Sequence, residues 1–183
     1  MVLLDIKKGG ILLFIVGLFL GLGLGLIISV SIVKPMDEIV VSRLAMLAEK
    51  AIYISDIVRA TDVAYIIPVA VYASYSALKA NTITDLKILP PPEVYLERPI
   101  DLVNTTLNSL RSSKPPSEVK ELHELLINKF SVLLAKLLDF KGNVKSGDLE
   151  PLDALREYRE ISNICSEILN LTKAISNTLR ESV

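Results

Sequence analysis

Tryptophan and glutamine are absent from this chain of 183 residues, and cysteine and histidine occur once each. A lone cysteine, Cys165, excludes an intrachain disulfide framework. A lone histidine, His123, lacks the second histidine of a zincin helix and cannot supply the paired Glu-x-x-His motifs of a four-helix di-metal centre. No phosphate-binding loop, dinucleotide fingerprint or serine nucleophile elbow occurs. An excess of either charge is missing too: 20 Lys and Arg stand against 21 Asp and Glu. Such a balance leaves no electrostatic footprint for nucleic acid and no polybasic patch for a lipid surface. Neither a catalytic set, a cofactor motif nor a metal-ligand cluster is found, so the chain reads as a non-enzyme without a cofactor. Thermophile proteins tend to lose thermolabile amides, so the missing glutamine points towards a hot-living source, although asparagine is retained.

Charge is missing altogether from Ile11 to Val33. At 1.5 Å per residue a helix of that length spans roughly 35 Å, enough to cross a hydrocarbon core of about 30 Å. The chain therefore divides into a short tail at 1–10, a transmembrane anchor at 11–33 and a body at 34–183. Apart from Asp5, Lys7 and Lys8, all charge lies in the body, with 18 basic against 20 acidic side chains and a net charge of −2. A cleaved signal peptide is the alternative. Lys7 and Lys8 supply its basic start and Ser29-Val30-Ser31 a small-x-small site, but the apolar run exceeds the usual length of about 7–15 residues.

Glycine is a poor helix former, yet Gly17, Gly21 and Gly25 sit four apart inside the anchor, and Ser29 continues the series. Residues at i and i+4 share a helix face. In lipid such small-xxx-small stripes let two backbones approach closely. The expected partners are the bilayer and another membrane helix, from a second copy or from another subunit, so the chain reads as an oligomer or a subunit of a larger complex. Gly23, on the opposite face, has no such account. Lys7, Lys8 and the amino terminus flank one side of the anchor, Lys34 and Arg43 the other. The positive-inside rule then favours a cytoplasmic N-terminus and an extracytoplasmic body. The sequons at Asn104 and Asn170 permit glycosylation there.

Two short resemblances bear on this region. Lys7-Lys8-Gly9-Gly10 followed by an apolar run resembles the cleavage region of archaeal type IV pilin-like precursors, which implies a helix packing into a filament core. Lys34-Pro35 after a membrane helix resembles the start of a HAMP signalling module, which would make the body cytoplasmic. The glycine-acid pair of that module is missing.

The body shows apolar stripes at helical spacing. Val40, Leu44, Leu47, Ala51, Ile54 and Val58 step 4-3-4-3-4 after Pro35, which predicts a bundle or coiled-coil seam. Ile39, Val41, Ala48, Ile52 and Ile57 widen that face. Residues 63–78 are uncharged. They read as a helix broken or kinked at Pro68, with a second membrane crossing as the alternative. Tyr65, Tyr72 and Tyr75 fall near one another there, as a ligand or partner surface or as core-boundary residues with wet hydroxyls.

Leu89 to Pro99, with four prolines, reads as an extended loop. A short helix follows, with Ile100, Val103, Leu107 and Leu110 inward, stopped at Lys114-Pro115-Pro116. Ser117 is then placed to cap a helix presenting Val119, Leu122, Leu126, Phe130, Leu133, Leu137 and Phe140, ended by Gly142. Asp148 is placed to cap the last helix, where Ile161, Cys165, Ile168, Thr172, Ile175 and Leu179 again step 4-3-4-3-4. His123 and Cys165 read as packing residues, and Glu150 to Glu160 as a mixed-charge face.

The fold expected is all-α: an N-terminal single transmembrane helix followed by an up-down bundle of four to five helices. The function expected is that of a structural or assembly subunit of a membrane or cell-surface complex. The alternatives are a ligand-binding or sensory bundle signalling through a partner, and a type IV pilin-like filament subunit.

Overall fold

A computed structural model describes residues 40–82, 89–147 and 149–181 in full, and the helical backbone alone for 3–39 and 83. Four α-helices follow one another: α1 (Leu3–Ile83), α2 (Val94–Ser112), α3 (Lys120–Ser146) and α4 (Pro151–Glu181), with a 3-10 turn, Ser117–Val119, before α3. No strand occurs among the described residues. The chain divides into two compact units, Met1–Ala48 and Glu49–Val183.

Of the anchor read at 11–33 only the helical backbone is described; the side chains of its stripe, Gly17, Gly21, Gly25 and Ser29, and the Asp148 cap lie outside the described residues. Among the described residues, 63–78 included, no helix is long and apolar enough to cross a membrane. In the first unit, Val40, Val41, Leu44, Met46 and Leu47 are exposed.

The second unit is a four-helix bundle, and its cross-helix contacts give the topology. Asp56 on α1 accepts hydrogen bonds from Ser109 and Ser113 at the end of α2, while Ser74, further along α1, donates to the Pro92 carbonyl ahead of α2. Those two helices are therefore antiparallel. Arg111 reaches Ser131 and Glu97 reaches Lys141, so α2 and α3 are antiparallel. Lys129 pairs with Glu167, Lys136 with Glu160 and Asn143 with Glu157, so α3 and α4 are as well. Short connections between such neighbours make an up-down bundle.

Its core follows the 4-3 stripes of α2, α3 and α4. Val103, Leu107 and Leu110 are buried, with Ile100 partly so. Leu126, Phe130, Leu133, Leu137 and Phe140 are buried on α3, and all six stripe residues of α4 are buried. Each large side chain so buried stabilises the bundle by about 1.5–3 kcal/mol relative to exposure.

On α1 the stripe is a different one. Tyr53, Ile57, Ala60, Ala64, Ile67, Val71 and Ser74 are buried, whereas Ala51, Ile54 and Val58 of the expected seam are exposed. Both stripes step 4-3, displaced by one residue, or about 100° round the helix. Periodicity alone does not choose between them. Ala60 and Ala64 let the neighbouring helices approach on the buried side.

Helix boundaries also differ from the expected ones. α1 continues through Pro35 and Pro68. Proline at 68 deprives the Ala64 carbonyl of its partner, at a cost of about 3 kcal/mol. Val63, Ala64, Ile67, Val71 and Ala77 are buried on both sides of it, and this packing holds the helix together. α2 begins at Val94, inside the stretch read as a loop, because the carbonyls of Pro91, Pro92 and Glu93 accept from the N–H groups of Val94, Tyr95 and Leu96 in a tight first turn. Pro99 lies within α2, buried. Ser117 caps nothing; its hydroxyl donates to Glu118, and the 3-10 turn leads into α3. Helix α3 passes Gly142 and stops at Gly147, whose φ of 78° is the left-handed conformation that glycine adopts freely.

Candidate functional site

Two features of the bundle stand out from its packed core. The first is a polar knot tying α1, α2 and α3. The Asp56 carboxylate accepts from the hydroxyls of Ser109 at 2.6 Å and Ser113 at 2.5 Å. The Tyr53 hydroxyl lies 3.2 Å from His123 Nδ1, and the rings meet at a tilt. With Nδ1 accepting from the Tyr53 hydroxyl, the neutral ring carries its proton on Nε2. Burial holds the His123 pKa below its usual value. Burial, aided by the nearby Asp56 charge, pushes Tyr53 up to about 12. The arrangement keeps both groups neutral and joins three helices. It contains no activated nucleophile.

Only part of the knot is legible in the sequence. His123, expected to be a packing residue, is buried. Tyr53 and Asp56 were missed, because their partners lie 53 to 70 residues away. Cys165 is buried in the core, and its thiol is pushed up to about 12 by desolvation, which makes it inert. Among the described residues no group of three or more His, Cys, Asp or Glu is placed to hold a metal ion.

The second feature is the outer face of α1. Its large apolar side chains are exposed: Val58 is 54% exposed, Tyr65 65%, Val69 70% and Tyr72 53%. No charged residue occurs on α1 between Asp62 and Lys79. Of the three tyrosines singled out, Tyr72 and Tyr75 meet with ring centroids 6.0 Å apart. Tyr158 of α4 joins them, its ring 5.7 Å from that of Tyr72. The charged residues around Tyr158 had hidden it. Tyr65 stands apart from this cluster and lines a cleft with α4 instead.

That cleft, of about 690 Å³, runs between Thr61 and Tyr65 on one side and Ser166, Asn170, Lys173 and Asn177 on the other. It adjoins a smaller apolar one of about 360 Å³ at Ile54 and Val58, and Ser176 and Arg180 line both. A further cleft of about 540 Å³, between α3 and α4, is lined by Lys136, Asn143, Glu157 and Glu160, which already satisfy one another. The chain matches no known family, no curated protein and no solved structure.

Proposed function

We propose that the protein is a single-pass membrane-anchored helical subunit with a structural or assembly role in a membrane or cell-surface complex. The uncharged run at 11–33 supports the anchor, and the positive-inside rule supports an extracytoplasmic body. The observation that carries the docking role is the outer face of α1, where Ile54, Val58, Tyr65, Ile66, Val69 and Tyr72 are all exposed. Scattered surface hydrophobics are ordinary, but a contiguous apolar face along one helix marks an interaction surface. Stacking of Tyr72, Tyr75 and Tyr158 on one another favours docking over a small-molecule pocket at the tyrosines.

The glycine stripe is the proposed contact inside the bilayer. Leucine at Gly17, Gly21 and Gly25 would hold the partner helix off by a side chain's width. Native subunits are then expected to be lost when the complex is extracted in mild detergent. Unchanged co-purification of the triple variant would count against the reading.

One observation favours the filament alternative as well. The α1 backbone runs unbroken from Leu3 to Ile83, so the segment after Gly9-Gly10 shares a helix with the body. Mature protein that retains Lys7 and Lys8 would exclude it.

A further inference from the structure

We infer that the groove between α1 and α4 receives an acidic amphipathic helix of a partner protein; this rests on the docking role proposed above and names the partner's chemistry. The two walls of the groove differ in kind. Ile54, Val58 and Tyr65 make the α1 wall apolar and aromatic. The α4 wall is the stripe Ser166, Asn170, Lys173, Asn177 and Arg180, which steps 4-3-4-3 and so lies along one side of the helix.

Charge on that wall is of one sign. No acidic side chain lines either cleft. Elsewhere on α4 four acids are engaged, Asp153 with Arg156, Glu157 with Asn143, Glu160 with Lys136 and Glu167 with Lys129, while Glu181, exposed at the end of the helix, lines neither cleft. Among the described residues Lys173 and Arg180 make no ion pair. Three of these carboxylates, Glu157, Glu160 and Glu167, meet partners on α3, and the two cations line the groove.

Spacing then selects the ligand. Lys173 and Arg180 are two turns apart, about 10.5 Å along the axis. A single phosphate or carboxylate would meet both only if the two side chains bent towards each other, and it would leave the apolar wall uncovered. A helix laid along the groove, with acids at i and i+7, presents charges at that same interval. An apolar stripe beside those acids would rest on Ile54, Val58 and Tyr65. Helix-in-groove docking of this kind reads anchors at helical spacing, and matched charge sets orientation and register.

The test uses the full chain in nanodiscs of neutral lipid at physiological salt. The probe is a fluorescein-labelled synthetic helix of about 20 residues with a leucine stripe and glutamates at i and i+7. A second probe carries lysines in place of the glutamates. The glutamate probe is expected to bind at least about tenfold more tightly, and K173E/R180E to reverse the preference. K173Q/R180Q, with less risk of misfolding, should abolish it while leaving the circular dichroism and melting temperature unchanged. Equal binding of the two probes, or a preference that survives both double variants, would overturn the inference. Native subunits that still co-purify in that event would leave the docking role itself standing.

Discussion

At the scale of single residues, the polar knot is the most informative part of the bundle. His123 is held neutral beside the Tyr53 hydroxyl, with its pKa depressed by burial. The unfolded chain, with an ordinary value of about 6.5, binds a proton first on acidification. The stability tied to neutral His123 is thus complete above about pH 6.5 and is lost as pH falls below it, down through the lower folded value. The melting temperature of the full chain should drop by a few degrees between about pH 7 and 5, and His123→Asn should flatten that dependence. An unchanged slope in the variant would show that other groups set it. Asp56 depends on the same long-range geometry, since its two serine donors come from the far end of another helix. A sequence shows an isolated acid there and nothing of its partners, which is why this knot was not legible.

Among the elements, α2, α3 and α4 were legible because each carries one apolar stripe with a polar opposite face, so the period also fixes the phase. The first helix carries two such stripes, and the choice between them belongs to its neighbours. Helix ends depended on details that composition does not reveal. Gly142 and Gly147 look alike in sequence, yet only Gly147 has a positive φ. Gly142 is helical, and a Cβ there would meet nothing within 4 Å. Gly142→Ala should therefore stabilise by up to about 1 kcal/mol, a rise of roughly 2–4 °C in melting temperature. Gly147→Ala should lower it, because the left-handed conformation is strained for alanine. Thermal unfolding of the two variants side by side checks the pair. The tyrosines were partly legible in the same sense: Tyr72 and Tyr75 meet as neighbours on one helix, while Tyr158 arrives from another.

For the whole molecule, the interior is filled by large side chains, with Tyr53, Phe130, Phe140, Ile67, Leu96 and Leu126 all essentially without exposure. Cys165 sits in that interior as the sole thiol. Its labelling by a maleimide should therefore require opening of the bundle and should track denaturant unfolding seen by circular dichroism. Rapid labelling under native conditions would mean that α4 separates from the bundle far below the global transition. The all-helical bundle could be read from periodicity and turn residues. The two clefts between α1 and α4 could not, because they arise where one face of α1 meets another helix about a hundred residues later.

The doubled stripe on α1 turns its burial into a matter of rotation. A roll of about 100° would exchange the buried set for the stripe that runs through Ile54, Val58, Tyr65 and Tyr72. Both stripes carry apolar side chains, so apolar burial discriminates weakly between them, and the directional bonds of Tyr53, Asp56 and Ser74, with the small Ala60 and Ala64, favour the observed side. Polar contacts in this bundle act as a keyway: they choose which side of the shaft faces in, and so which side is left for another molecule.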